Sequence, residues 1–381
     1  MLSISARKLI DSFVGLWLCA FASLAPAQQP SETPVPLPPV EMRAPVQIVP
    51  LISTVPIGYT PAKMRHAYGF DLFTGNGAGQ TIAIIEAYGS STIQSDLNTF
   101  CATFGLPNTT LSIYYPQGVP APNTVWALET SLDVEWAHAI ASSAKIALVV
   151  AKSPLSTDLL AAIDFAVGLG AKQVSMSFAT PEFSGVTSYD SHFNKPGVTF
   201  TAAAGDSGAA VNWPACSQYV VGVGGTHVVL DANGNITVET GWSESGGGVS
   251  LYVAKPVFQN GWQSATKRTA PDVSYSADPN TGVAVYMSNY YGQTGWLMCG
   301  GTSAGAPQWA ALFALANSGR VGSVTSANTV LYSAGTANYA GNYRDTLVGN
   351  NGKYYCAVKY DYVTGLGSPR ANSLIPYLKT H

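Results

Sequence analysis

Residues 80–87 read Gln80-Thr-Ile-Ala-Ile-Ile-Glu-Ala87, an apolar run closed by one acid. Two runs of the same kind follow, Lys145-Ile-Ala-Leu-Val-Val-Ala151 and Gln173-Val-Ser-Met-Ser-Phe178. A strand wetted on one face alternates apolar with polar residues, whereas a strand covered on both faces does not need to. These runs therefore predict strands buried between two layers. Stretches with helical spacing separate them, at 91–104, 126–141 and 157–169. Strand and helix in alternation predict an α/β fold, a mostly parallel sheet with helices on both faces. Gly197-Val-Thr-Phe-Thr-Ala-Ala-Ala204 and Tyr219-Val-Val-Gly-Val223 extend the sheet. Residues 228–239 read as a hairpin turning at Asn233-Gly234. The Gly-, Tyr- and Trp-rich stretch from there to about Met298 is expected to be loop.

The 381 residues are 47% hydrophobic and only 10% charged, with a net charge of −3. Average domains carry about 25% charged residues, so Gly, Ser, Thr, Asn and Tyr must build much of this surface. That balance argues against a nucleic-acid partner. Neither a GxxxxGK[ST] nor a GxGxxG phosphate loop occurs. At the N-terminus, Arg7 and Lys8 precede an apolar core from Phe13 to Ala22, and Ala25-Pro26-Ala27 follows. This is the pattern of an export signal cut after Ala27, and its apolar run is short for a membrane span. The expected division is a signal peptide at 1–27, a Pro-rich linker at 28–56 and one folded domain at 57–381. A secreted or periplasmic location follows, with no membrane partner once the signal is gone. Cys101, Cys216, Cys299 and Cys356 then allow up to two disulfides, or remain as buried thiols.

Chemistry concentrates at Gly301-Thr-Ser303-Ala-Gly-Ala-Pro307. Glycines permit close approach of a substrate backbone. A serine opening a helix sits where free N–H groups favour developing negative charge. Such a nucleophile needs a base. Histidine is the usual one, and the chain has His66, His138, His192, His227 and His381. His227 enters the hairpin, with only Asp231 near it in sequence. His138 lies about 180° around its helix from Glu129. Glu129 and Asp133 are better placed, because an i, i+4 spacing puts both carboxyls on one helical face. Like charges so close raise one pKa and promote proton sharing. Glu135 lies about 240° from Glu129, on another face. Asp206, in Ala203-Ala-Gly-Asp206-Ser-Gly208, follows a strand end, where open α/β sheets bind ligands. Protonated, it could donate to an oxyanion.

These segments together resemble the sedolisins, the serine-carboxyl peptidases with a subtilisin-like fold. The resemblance runs from Tyr59 to the C-terminus through ETSLDVEWAHAIA, AAGDSGA, VGVGGT, SGGGVS, PDVSYSADPNTGVAVY, GGTSAGAPQWAALFALAN and TGLGSP, in the family's order. It implies Ser303 as nucleophile, Glu129 as base and then acid, Asp133 as the group orienting Glu129, and Asp206 as oxyanion donor. Glu86 matches a carboxyl that extends the proton network in some members, while Phe178 stands where those members have Trp. The resemblance also implies one structural calcium ion, held by the Asp345 and Asp361 carboxylates and the carbonyls of Thr346, Ala357 and Lys359. Ala357 and Lys359 replace customary glycines. Members usually carry a long folded propeptide. Residues 28–58 are too few for one, so control by a propeptide domain is not expected. The function expected is a secreted serine endopeptidase with an acidic optimum, a monomer acting on proteins or peptides through an acyl-enzyme. A non-catalytic exported binding protein on the same fold is the alternative.

Overall fold

The computed structural model describes residues 38–381; the expected signal peptide and the first part of the Pro-rich segment lie outside them. In chain order the elements that frame the site begin with β1 (Gln47–Ser53), α1 (Pro61–Ala67), β2 (Thr81–Ala87), α2 (Ile93–Phe104) and β3 (Ser112–Tyr114). Next come α3 (Thr124–Ile140), β4 (Lys145–Ala151), α4 (Ser156–Gly168), β5 (Gln173–Met176), β6 (Thr199–Ala203), β7 (Val220–Leu230) and β8 (Ile236–Gly241). The chain ends with β9 (Val273–Ser276), β10 (Val283–Tyr290), β11 (Gln293–Gly300), α5 (Gly305–Asn317), α6 (Ala327–Asn342) and α7 (Ala371–Thr380).

The main sheet runs β8-β7-β6-β5-β2-β4-β3, with β9 added along β7. All neighbours in it are parallel except the β7–β8 hairpin. The period of two along β2 explains why an unbroken apolar run was needed. Ile82 and Ile84 feed the core cluster that contains α3 and α5, whereas Ala83 and Ile85 feed the cluster under α4. Glu86 continues the first set, so its carboxyl faces the α3 side. Both α3 and α5 are buried along nearly their whole length, which is why neither shows a polar face in its sequence. Asn123 caps α3 by accepting the amides of Val125 and Trp126, each at 3.1 Å.

The structure corrects two expectations and decides between two alternatives for the cysteines. The stretch leading to Met298 is not loop: β9, β10 and β11 lie in it, and β10 and β11 form a hairpin. Gly, Tyr and Ser at its strand positions mask the alternation that would have marked it. The Pro-rich segment is not a free linker to residue 56. From Val40 it docks on the domain, and Gln47 pairs with Gly300 as β1 joins β11 antiparallel. Proline bars a segment from central strands but not from an edge, and β1 is an edge strand of its three-stranded sheet. Of the two states left open for the cysteines, Cys101, Cys216, Cys299 and Cys356 are free thiols, the first three fully buried.

Candidate active site

Ser303 stands at the point where β11 hands the chain to α5. Gly301 takes φ of +99°, a conformation that side chains disfavour, and a Cβ there would also run into the Pro45 carbonyl oxygen and Asp206 Oδ2. A single 3₁₀ turn, Thr302–Ala304, then carries Ser303 to the start of α5. The helix expected to start near Ser303 begins at Gly305. Pro307 falls in the first turn of α5, where no N–H is missed.

Helix α3 packs across α5 and this turn, and it brings Glu129 and Asp133 to the serine. Glu86, near the carboxyl end of β2, meets them from the sheet. Glu86, Glu129, Asp133 and Ser303 are all fully buried. No hydrogen bond is closed on any of the three carboxyls in the resting arrangement, and their burial side by side favours the protonated forms. Burial drives Glu129 well above the usual carboxyl range and Asp133 adds to this, while the nearby Ser303 hydroxyl and Val46 amide pull it back. No hydrogen bond is closed between Ser303 Oγ and Glu129 in this state. Resting geometries of this kind often tighten only when substrate binds. Burial also raises Asp133, against which the Ser177 hydroxyl and Glu86 act. Burial, then the charges of Asp133 and Glu129, raise Glu86.

Asp206 approaches from the end of β6. Its Oδ1 accepts the Thr302 amide at 2.9 Å and the Thr302 hydroxyl at 2.8 Å. The same hydroxyl accepts the Gly205 amide at 3.0 Å, which ties the two loops together. Oδ2 is buried and unpaired. Burial pushes Asp206 up to about 7, against the pull of Thr302. It therefore keeps its proton through the acid range, with Oδ2 free to donate.

The structure brings together Ser303, Glu129, Asp133, Asp206 and Glu86. Histidines of the described chain are engaged elsewhere. His138 Nε2 lies 2.7 Å from the Pro107 carbonyl, and His66 and His192 pair with Asp71 and Asp164. His227 pairs with Asp278 at 2.8 Å, a partner invisible in sequence because 51 positions separate them. Glu135 accepts the Tyr286 amide at 3.0 Å, away from the pair. Phe178 is buried in the core cluster under α4. Ser177, beside it, is the neighbour of Asp133 that sequence reasoning missed; the adjacent strand end in VSMSF was its only signal.

Among the expected calcium ligands, the Asp345 and Asp361 carboxylates and the Lys359 carbonyl face protein donors. Asp361 Oδ1 accepts the amides of Val363 and Thr364 at 2.8 and 2.7 Å, and Oδ2 accepts the Ala357 amide at 3.2 Å and the Thr364 hydroxyl at 2.9 Å. Both Asp345 oxygens accept the Lys359 amide at 3.0 Å. Tyr339 places its hydroxyl 2.9 Å from Asp345 Oδ1 and 2.6 Å from the Lys359 carbonyl oxygen. Calcium requires six or more oxygens, and the two carboxylates of the expected set already accept from protein donors, so the arrangement as it stands does not fit the ion. Lys359 keeps φ of +70°, so the loop retains the turn that a glycine would make without strain.

A parallel α/β sheet with a serine at a helix entrance and carboxyls in place of histidine defines a subtilisin-like serine-carboxyl architecture. Comparison with known proteins agrees. The chain is 33% identical over 374 residues to kumamolisin from Bacillus sp. (strain MN-32), an alignment covering 83% of this chain and 63% of that protein. It is 31% identical over 218 residues to sedolisin from Pseudomonas sp. (strain 101), covering 49% of this chain and 35% of that one. The structure of Pseudomonas sedolisin, a serine-carboxyl proteinase complexed with pseudo-iodotyrostatin, superposes with a TM-score of 0.75 at 26% identity, over 86% of this chain and 99% of the other. No family model matches the chain. It belongs to the sedolisin family and has that family's subtilisin-like fold. It spans less than two thirds of the length of the kumamolisin and sedolisin chains it matches.

Proposed function

We propose that the protein is a secreted serine endopeptidase that works in acid and forms an acyl-enzyme with Ser303. Glu129 accepts the Ser303 proton as Oγ attacks a peptide carbonyl. Asp133 and Glu86 hold the orientation of Glu129 and share its proton load. Asp206 Oδ2 donates to the tetrahedral oxyanion. Glu129 then protonates the leaving amine, and water hydrolyses the acyl-enzyme by the reverse sequence. The observation that carries this reading is the meeting of Ser303, Glu129 and the unpaired Asp206 Oδ2 at the carboxyl edge of the sheet, with every nearby histidine committed elsewhere. Family membership supports it, as does the export pattern at 1–27. Substrates are proteins or peptides, and the unit is a monomer. In the C-terminal corner we infer that the Tyr339 hydroxyl stands in for the ion, so no step runs through a metal. The test is a pH–rate profile on an acid-denatured protein with Ser303→Ala beside it. The reading expects an acidic optimum whose lower limb is set by the Glu129 carboxyl, which burial holds above the ordinary carboxyl value of about 4. It also expects a loss of about a million-fold in Ser303→Ala. An optimum near pH 8, or activity that survives the substitution, overturns it.

A further inference from the structure

A second cavity, of about 370 Å³, shares no lining residue with the cleft around Asp206. Its walls come from separate parts of the chain: His66 and Gly69 at the end of α1, Asn235 in the β7–β8 turn, Arg344, and Arg370 with Asn372 at the entrance of α7. A short antiparallel pair, Tyr343 with Pro369 and Arg344 with Ser368, brings the two arginines to one place. Gly69 takes φ of +78°, and a Cβ there would run into Asn372 Oδ1, so glycine lets the end of α1 close against α7.

The charges around this cavity leave donors to spare. The Arg370 Nε donates to the Tyr343 carbonyl at 3.3 Å, and the Arg344 Nε stands 3.4 Å from Glu239 Oε2. The Nη atoms of both guanidiniums have no protein acceptor among the described residues. Burial and then the charge of Arg344 push Arg370 below the usual guanidinium range, and Glu239 offsets this only in part. Glu239 already accepts the Thr226 and Ser368 hydroxyls, each at 3.0 Å. Asp71 is paired with His66 at 2.7 Å, and Asp231 accepts amides within its own turn. The second ring nitrogen of His66 is taken by Asn235 Oδ1 at 3.1 Å. Two guanidiniums thus share one carboxylate. Arg370 opens α7 without a side-chain cap, so the free amides and dipole of that helix end add positive potential at the same wall.

We propose that this cavity binds a phosphate group, held by the Arg344 and Arg370 guanidiniums at the entrance of α7. Guanidinium forks match phosphate oxygens in pairs, and a helix entrance is a ready anion site. A carboxylic acid loses its charge near about 4, whereas a phosphate ester still carries one negative charge below its upper pKa of about 6. The preference for phosphate over carboxylate rests on the acid reading above; the site itself does not. Small-molecule sites measure about 300–1,000 Å³, so the cavity has room for the group that carries the phosphate as well as for the free ion.

The full chain is titrated near neutral pH with inorganic phosphate and, separately, with phosphoserine, by calorimetry in chloride at constant ionic strength. Acetate is the control anion. The expected result is one saturable phosphate site per chain, at least about tenfold tighter than acetate. Arg344→Gln and Arg370→Gln should each weaken it about tenfold or more, the usual effect of losing a charged hydrogen bond. Arg370→Lys keeps the charge without the fork and should fall between. Ser303→Ala should bind as the unmodified chain does. Should an arginine variant fail to fold, Asn372→Asp makes the same test. An acid in the first turn of a helix favours the fold, while its charge should repel phosphate and weaken binding. Phosphoserine tighter than inorganic phosphate supports a phosphate ester as the ligand, and the reverse order supports the free ion. Heat that follows ionic strength alone, equal affinity for acetate, or variants that bind like the unmodified chain overturn the proposal. None of these results measures turnover, so the peptidase reading stands or falls separately.

Discussion

Thr302 binds Asp206 twice through one oxygen, with its amide at 2.9 Å and its hydroxyl at 2.8 Å, and so leaves Oδ2 as the only free arm of that carboxyl. A carboxyl held this way can serve an oxyanion only as the acid, since a second negative charge would repel it. Its elevation to about 7 keeps it in that form over the whole range where Glu129 would work.

This relationship separates two substitutions at one position. Asp206→Ala removes the donor and should lower kcat by about a hundred- to a thousandfold. Asp206→Asn supplies a neutral N–H donor that does not titrate. It should retain more activity than the alanine variant, and its activity should decline less as pH rises towards 7. Parallel pH–rate profiles check this. Equal losses with unchanged profile shape would mean that Asp206 is not the titrating donor.

Stability should depend on pH in the sense opposite to ordinary acid denaturation. Burial raises Glu86, Glu129, Asp133 and Asp206 in the folded state. The folded chain then binds more protons than the unfolded chain, and stability falls as pH rises. The contribution is complete below the unfolded carboxyl values, near about 4. For Asp206 it is lost as pH climbs to about 7. The unfolding temperature should therefore be highest in acid and drop towards neutrality. In Glu86→Gln, which cannot ionise, the drop should be shallower. A midpoint that climbs steadily from pH 4 to 7 would contradict the assignment.

The parallel sheet and the carboxyl pair were legible because both are local signals. An apolar run needs only its own residues to announce a buried strand, and an i, i+4 pair needs only helical geometry. Glu86 could be placed by counting alternate positions from Ile82. Other features were not legible because they join distant segments. Nothing near His227 in sequence points to Asp278, nor does anything near Asp206 point to Thr302 across 96 positions. The Pro-rich stretch reads as a linker on composition, yet the path of Arg43 and Gln47 is set by cleft walls that fold from residues 179 and 300.

Asp272 illustrates a buried charge whose removal should be costly. Arg268 reaches it with two nitrogens at 2.8 and 2.5 Å, and the Gly222 amide and Tyr332 hydroxyl complete its shell at 2.8 and 2.9 Å. Both side chains are fully buried. Asp272→Ala strands the guanidinium in the core and should cost about 3–5 kcal/mol. Replacing the pair together, as Arg268→Met with Asp272→Leu, should restore much of that loss. Thermal unfolding of the two variants makes the comparison. A single variant no worse than the double one would show that the charge finds water.

The Tyr339 hydroxyl gives the last expectation. It lies between Asp345 Oδ1 and the Lys359 carbonyl, and it is the one side-chain group there that bonds both. If this hydroxyl closes the corner in place of an ion, a chelator should leave the unfolding temperature where it was, and added calcium should not raise it. Tyr339→Phe removes the hydroxyl and keeps the ring packing against Trp262 and Tyr343, while Asp345 Oδ1 retains the Lys359 amide and only the Lys359 carbonyl loses its protein partner. The expected loss is about 0.5–1.5 kcal/mol, the net worth of a lost hydrogen bond whose acceptor can turn to water. Calcium should not rescue the variant, because the Asp361 oxygens stay committed to Val363, Thr364 and Ala357. A midpoint that falls with chelator and recovers with calcium would instead place an ion among these oxygens. The Tyr339 hydroxyl would then have to move aside to admit it.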